Sequence, residues 1–399
     1  MEPAMTRALL AATIVLLFPF SVEGADYIVG ADMSFTAQAE AQGTAFKENN
    51  QAAPALQIFK NHGYNWIRLR IFNSPPAQGR GSLPNNLEYT LHYAQEAKKL
   101  GYKFLLDFHY ADSWADPGKQ PIPAAWQGKS HAEMVTLLHD FTRDTLRAFR
   151  EAGAEPEMVQ IGNEITNGML WPDGRLGRGA EGGANGWDHL ADFLKAGAAA
   201  VEESADDTHP RPKIMIHIDR GGDRQTTQRY FDKVISYNIP FDVIGQSYYP
   251  WWHGSLLDLR ENLAFMATTY KKDIVVVECA YNWRPTEYRN APAPFPETPE
   301  GQRAFLEAVN QVIMNAPDNR GKGFFWWEPA VSPRTGLVSR SMFDTEANAL
   351  PVLSVFDAYT RGKPPPRVPT GAGAGRGGRA GRGRGAGVPQ TAPASASQP

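Results

Sequence analysis

Short apolar runs rich in β-branched residues recur along this chain at eight places: Tyr27 to Ala31, Trp66 to Ile71, Lys103 to Tyr110, Met158 to Ile165, Lys213 to Asp219, Asp242 to Tyr249, Ile274 to Ala280 and Gly323 to Glu328. Helical periodicity fills the stretches between them. Met134, Leu137, Leu138 and Phe141 fall at i, i+3, i+4 and i+7, and Ala304, Leu306, Val309, Val312 and Ile313 lie along a second apolar face. Strand and helix alternating eight times predict parallel strands with crossover helices, closed into a barrel. Such barrels take roughly 250 residues and tolerate insertions after the strands, so the 338 residues from 25 to 362 fit a single (β/α)8 domain with long loops at its C-terminal face. A doubly wound open sheet would want a Gly-rich phosphate turn after the first strand, and Gly30 followed by Asp32, Met33 and Ser34 does not supply one.

Both ends fall outside that pattern. Arg7, the apolar run Ala8 to Phe20 and the small residues around Gly24 and Ala25 have the three-part layout of a secretory signal over residues 1–24, too short for a membrane span. The mature protein is therefore expected to be secreted, periplasmic or extracellular. Residues 363–399 hold Gly, Ala, Pro, Ser, Thr, Gln, Val and basic residues only, a composition that cannot bury a core. This tail carries Lys363, Arg367, Arg376, Arg379, Arg382 and Arg384 with no acid, which leaves a net −8 on the body between the ends. A basic tail can bind polyanions, but a solvated linker is the simpler reading, and no nucleic-acid partner is expected. The single cysteine, Cys279, excludes an intrachain disulfide.

In a barrel of this kind chemistry sits at the carboxyl ends of the strands. Here those ends read Asp32; Arg68 and Arg70; Asp107 and His109; Asn163 and Glu164; His217 and Asp219; Gln246 and Tyr249; Glu278; and Trp327 with Glu328. Carboxylates closing the fourth and seventh runs, Glu164 and Glu278, are costly to desolvate unless they are paired or do chemistry. Strand alternation puts Gln160, Gly162 and Glu164 on one face and Ile274, Val276 and Glu278 on another, so both acids are expected to point into the barrel mouth. Two carboxylates across a cleft are what glycosidic cleavage requires. The competing reading, in which each acid only pairs with Arg68 or Arg70, weakens once both acids and their aromatic surroundings are taken together.

At these residues the chain resembles the endo-β-1,4-galactanases of glycoside hydrolase family 53. The resemblance spans nearly all of residues 27 to 360 through motifs in a fixed order: Gly30-Ala31-Asp32-Met33-Ser34, Arg68-Leu69-Arg70, Asp107-Phe108-His109-Tyr110, Trp114-Ala115-Asp116-Pro117, Ile161-Gly162-Asn163-Glu164, Leu170-Trp171-Pro172, Ile214-Met215-Ile216-His217, Ser247-Tyr248-Tyr249-Pro250, Val276-Val277-Glu278 and Trp326-Trp327-Glu328-Pro329. It implies a retaining enzyme acting on galactan or arabinogalactan of pectin, with Glu164 as general acid/base and Glu278 as nucleophile. The chemistry agrees: Asn163 can hydrogen-bond the sugar 2-hydroxyl, Arg70 and Tyr249 can hold Glu278 ionised, and Glu164 must titrate higher. Of the two arginines, Arg70, nearer the strand end, is the expected contact to Glu278.

Asp32, Arg68, Arg70, Asp107, His109, Asn163, His217, Tyr249 and Trp327 make up the candidate substrate-binding set. Trp327 offers an apolar platform for a sugar ring, with Trp114, Trp171, Trp251 and Trp252 either walling outer subsites or packing on the rim. His109 and His217 can bond hydroxyls or orient a carboxylate; a satisfied core histidine is the competing reading, weaker for His109, whose motif is fuller. No cofactor or catalytic metal is assigned, since His-Glu-x-x-His and paired-cysteine patterns are missing. The calcium site that some bacterial relatives carry after strand seven finds little support in Tyr281 to Pro299, which is rich in Pro and Asn without alternating acids. Long segments after the third strand, Ala111 to Lys129, and the fourth, Thr166 to Trp187, suit an open, endo-acting cleft in a monomer. The rivals are another retaining barrel glycanase, for mannan, xylan or glucan, and a noncatalytic carbohydrate- or polyanion-binding protein, against which the presence of both acids argues.

Overall fold

The computed structural model describes residues 27–76, 83–177, 185–286 and 293–357, so the leader at 1–24 and the tail at 363–399 lie outside the described residues. Eight parallel strands close into a barrel: β1 (Ile28–Asp32), β2 (Trp66–Ile71), β3 (Lys103–Phe108), β4 (Met158–Ile161), β5 (Lys213–Ile218), β6 (Val243–Tyr248), β7 (Asp273–Cys279) and β8 (Gly321–Trp326). Closure comes from β1, which pairs with β8 through Ile28 opposite Gly323 and with β2 through Gly30 opposite Trp66. Gly30 is required there, since a Cβ would lie 2.4 Å from the Phe325 ring.

Two short helices, α1 (Thr36–Ala41) and α2 (Ala55–Asn61), follow β1, and one helix follows each of the next six strands: α3 (Leu87–Lys99), α4 (His131–Glu151), α5 (Gly186–Glu203), α6 (Arg224–Ser236), α7 (Leu256–Tyr270) and α8 (Pro299–Met314). Their starts are chemically marked. Ser130 and Ser255 form capping boxes with Glu133 and Asp258, and Thr298 caps α8 ahead of Pro299. On α4 the buried residues Met134, Leu138, Thr142, Thr145, Leu146 and Phe149 form one stripe against the sheet. The eighth strand departs from the expected alternation. Among the described residues it is followed by 3₁₀ turns, Gly336–Arg340 and Pro351–Phe356, in a segment that Pro329, Pro333 and Pro351 interrupt.

Inside the barrel, Ile28, Trp66, Leu105, Met158, Met215, Val243, Val275, Val277 and Phe325 form an apolar plug beneath the mouth. This plug corrects the expected alternation in β7. Val275 and Val277 face inward, whereas Ile274 and Val276 join the outer core. Between Gly245 and Ser247 the register slips, because these residues oppose Val275 and Glu278, so β7 carries an extra residue there. That bulge re-aims Glu278 to the mouth. The fourth run also differs: β4 ends at Ile161, Gly162 turns the chain at φ +82°, and Glu164 occupies the left-handed region at φ 48° ahead of the 3₁₀ turn Ile165–Asn167. Glu164 thus reaches the mouth through a turn rather than through strand alternation.

Candidate active site

The carboxyl ends of the strands surround a cleft of about 620 Å³. Glu164 and Glu278 both line it, with Arg68, Arg70, His109, Asn163, Tyr249 and Trp327 from the candidate set. A carboxylate oxygen of Glu164, one of Glu278 and a ring nitrogen of His217 all lie within 4.8 Å of one another. Asp32, Asp107 and His217 are fully buried and do not line the cleft. They lie behind its surface and hold the groups that do line it.

Arg68 is the hub, and here the expected contact is corrected: Arg68, not Arg70, meets Glu278. Its Nη1 lies 2.8 Å from Glu278 Oε1 and 2.7 Å from Asp32 Oδ2, while Nη2 donates to Asp107 Oδ2 and Asn163 Oδ1, each at 2.8 Å. Arg70, two residues further up β2, is drawn to the other side. It pairs with Glu328 and with Asp32 and lies 4.3 Å from the Trp114 ring centre. The other oxygen of Glu278, Oε2, accepts a hydrogen bond from the Tyr249 hydroxyl at 2.9 Å. The nucleophile candidate is therefore gripped at both oxygens.

Glu164 is held differently. The Ser247 hydroxyl donates to its Oε1 at 2.6 Å and lies 2.8 Å from His217 Nε2. Ser247 lies outside the candidate set, although it stands two residues before Tyr249 and so shares its parity. Beside this pair, Asp219 lines the cleft and bonds Thr166 and Arg220. Asp219 closes an apolar run but lies outside the candidate set, and Arg340 and His253, two further lining residues, come from loops that strand parity does not reach.

These surroundings set the charges. Burial and the neighbouring Glu278 and Asp219 charges push the Glu164 carboxyl well above its usual range. Burial also raises Glu278, against the opposing pull of the Arg68 guanidinium and the Tyr249 hydroxyl. Desolvation outweighs the ion pair, but the pairing leaves Glu278 the less raised of the two, the order expected for a nucleophile beside its acid. Asp219 is pushed up to about 6, first by burial. Asp107 goes the other way, to about 2, because Arg68 and His109 outweigh its burial. His109 and His217 are both lowered by burial, which favours neutral rings. The Ala115 amide donates to His109 Nδ1 at 3.1 Å, which leaves Nε2–H to donate to Asp107, 3.1 Å away.

Aromatic side chains form the walls. Trp114 and Trp327 approach with ring centres 6.3 Å apart, and Trp327 meets Tyr249 edge-on, also at 6.3 Å. Trp252, 50% exposed, completes the lining on the β6 side. Of the four loop tryptophans, Trp114 and Trp252 line the cleft. Trp171 packs under Arg175 and Trp251 stacks on Tyr281. The loop after β3 contributes residues 114–119 to the lining, whereas the described part of the loop after β4 beyond Glu164 contributes none. It folds instead into an antiparallel ribbon, Gly168–Met169 against Gly174–Arg175.

A family model described as glycosyl hydrolase family 53 matches residues 28–356. An uncharacterized protein in the bgaB 5' region of Niallia circulans is 41% identical over 319 residues, covering 77% of this chain and 84% of its own. An arabinogalactan endo-β-1,4-galactanase of Thermothelomyces thermophilus is 35% identical over 348 residues, covering 82% of this chain and 98% of its own. Among solved structures, the family 53 catalytic domain of Ignisphaera aggregans superposes with a TM-score of 0.74 at 32% identity, covering 85% of this chain and 98% of that one.

Proposed function

Because the chain belongs to glycosyl hydrolase family 53 and is a glycoside hydrolase, we propose that it cleaves internal β-1,4-galactosidic bonds of galactan and arabinogalactan, the side chains of pectin, with retention of anomeric configuration. The observation that carries this reading is the approach of Glu164 and Glu278 oxygens to within 4.8 Å in one cleft. Retaining glycosidases place their carboxyl groups about 5–5.5 Å apart, whereas inverting ones leave roughly 6.5–9.5 Å for a water.

Glu278 attacks the anomeric carbon while Glu164 gives its proton to the departing O4, so the C1–O4 bond breaks as the ester to Glu278 forms. Water then attacks the same carbon, Glu164 takes its proton, and the ester bond returns its electrons to Glu278. Arg68 and Tyr249 fix the plane of Glu278, which keeps its attacking oxygen oriented. Asn163 Nδ2 donates to the Ala115 carbonyl at 2.9 Å and keeps a second N–H for the sugar 2-hydroxyl. Asp32, Asp107 and His217 act by positioning, and Trp327 is the stacking platform. No cofactor takes part.

The run Ala8 to Phe20 behind Arg7 supports export of the enzyme, and no helix among the described residues is long and apolar enough to cross a membrane. Incubation with linear β-1,4-galactan is the test. Early release of mixed galacto-oligosaccharides, with β-anomeric product seen first by proton NMR, is the expected result. Galactose alone would overturn endo action, α-anomeric product would overturn retention, and preference for mannan, xylan or glucan in a polysaccharide panel would overturn the substrate.

A further inference from the structure

We propose that Arg340 is a positioning residue for the reaction: its guanidinium gathers Tyr249, Trp252 and Trp327 into one wall of the cleft and, through the Tyr249 hydroxyl, steadies the carboxylate of Glu278. The proposal rests on the reading of Glu278 as nucleophile. Arg340 is 3% exposed and lines the cleft, although it comes from no strand. It is the last residue of the 3₁₀ turn Gly336–Arg340 after β8. Its backbone is held from two sides. Trp326 Nε1, at the end of β8, donates to the Arg340 carbonyl at 2.9 Å. Trp283, after β7, donates through its amide to the Ser339 carbonyl at 2.9 Å and through Nε1 to the Val338 carbonyl at 2.7 Å.

On that frame the side chain reaches in among four aromatic rings. Arg340 Cζ lies 5.4 Å from the ring centres of Trp251 and Trp252 and 5.7 Å from those of Tyr249 and Trp327. All four fall within the roughly 6 Å over which a cation and a ring attract. The rings also meet one another: Tyr249 lies 5.5 Å from Trp252 and 6.3 Å from Trp327, with planes at 67° and 87°. A flat, delocalised guanidinium suits this place better than a compact, strongly hydrated ammonium, because it keeps its charge when desolvated and packs against ring faces.

Tyr249 carries the effect to the reacting carboxylate. Its hydroxyl donates to Glu278 Oε2 at 2.9 Å. Burial and the Glu278 charge push the Tyr249 phenol well above its usual range; the Arg340 guanidinium opposes them, and Glu164 adds to the rise. A cation beside the phenol favours negative charge on its oxygen, which makes the O–H a stronger donor to Glu278. Around Glu278 itself, Arg68 favours the carboxylate, and Asp32, Asp107 and Glu164 oppose it.

The test is the pH dependence of galactan hydrolysis by the full chain carrying Arg340→Met, which keeps volume without charge, or Arg340→Lys, which keeps charge without the flat fork. Each is measured alone and together with Tyr249→Phe. Arg340→Met is expected to move the acidic limb of kcat/KM to higher pH and to raise KM for long galactan about two- to tenfold. Arg340→Lys should return the limb to its wild-type position while KM stays raised. In the Tyr249→Phe background, the limb shift caused by Arg340→Met should shrink or vanish. An unmoved limb in Arg340→Met, no recovery in Arg340→Lys, or a shift of undiminished size in the Tyr249→Phe background overturns the proposal. Should Arg340→Met fail to fold, Arg340→Gln carries the same comparison. Glu278→Ala separates two failures. If that variant stays active, the assignment of Glu278 fails; if it is inactive while the limb of Arg340→Met stays in place, the role of Arg340 alone fails.

Discussion

Arg68 Nη1 is shared between Glu278 Oε1 at 2.8 Å and Asp32 Oδ2 at 2.7 Å, so the nucleophile candidate is one of several acceptors around a single buried guanidinium. Tyr249 is its other anchor, through a 2.9 Å hydrogen bond that favours the ionised carboxylate. Glu278→Ala should lower turnover on galactan by several orders of magnitude with the circular dichroism spectrum unchanged. Tyr249→Phe removes only the hydroxyl. A hydrogen bond to a charged group is worth about 1.5–3 kcal/mol, so kcat should fall by roughly ten- to a hundredfold. With that bond gone the Glu278 pKa rises, and the acidic limb of the kcat/KM profile should move to higher pH.

The basic limb belongs to Glu164, which must be protonated to act as acid, so activity falls as pH rises through its raised pKa. Two neighbours push this limb in opposite directions. The Ser247 hydroxyl favours the ionised form, so Ser247→Ala should move the basic limb to higher pH. Asp219 repels the ionised form, so Asp219→Asn should move it to lower pH, an effect that appears only above about pH 6, where Asp219 itself is charged. Parallel pH–rate profiles of the two variants check this, and shifts in the same direction would contradict the proposed role of Glu164.

The barrel was legible because parallel strands buried on both faces leave continuous apolar runs, and the parity of Arg68 with Arg70 and of Asp107 with His109 survived into the structure. What parity alone does not reveal is where a strand stops being a strand. Glu164 arrives through a left-handed turn and Glu278 through a bulge, neither of which changes the hydrophobic pattern. Length of reach is equally hidden: Arg70 stands nearer the mouth, yet its guanidinium is taken by Glu328 and Trp114, and the deeper Arg68 extends to Glu278. Cleft residues that come from outside the strands, such as Arg340, carry no periodic signal at all.

Asp107 connects the site to stability. Its pKa of about 2, below the usual value of about 3.9, means that the folded state favours the carboxylate. The resulting stabilisation is present above pH 4 and is lost as pH falls through about 2. The shift corresponds to about 2 kcal/mol. Denaturant melts should show Asp107→Asn less stable than wild type at pH 6, with the difference shrinking by about that amount toward pH 2. A difference independent of pH would show that the ion pair with Arg68 is not its source.

Trp252 and Trp327 both face the cleft but are held in different ways, and this separates binding from architecture. Trp327, 5% exposed, is wedged between Trp114 and Tyr249, so its removal would loosen the anchor of Glu278 along with the platform. Trp252 is 50% exposed, and an apolar ring left in water beside a saccharide cleft gains burial only when substrate covers it. Trp252→Ala should therefore act mainly on KM for long galactan, raising it by up to about tenfold, the scale of one aromatic contact, with a smaller fall in kcat because its ring also meets Tyr249 edge-on at 5.5 Å. Trp327→Ala should lower kcat and melting temperature together. Steady-state kinetics on galacto-oligosaccharides of increasing length would sharpen the contrast, because the Trp252 effect on KM should vanish for chains too short to reach it, whereas the Trp327 effect should persist at every length.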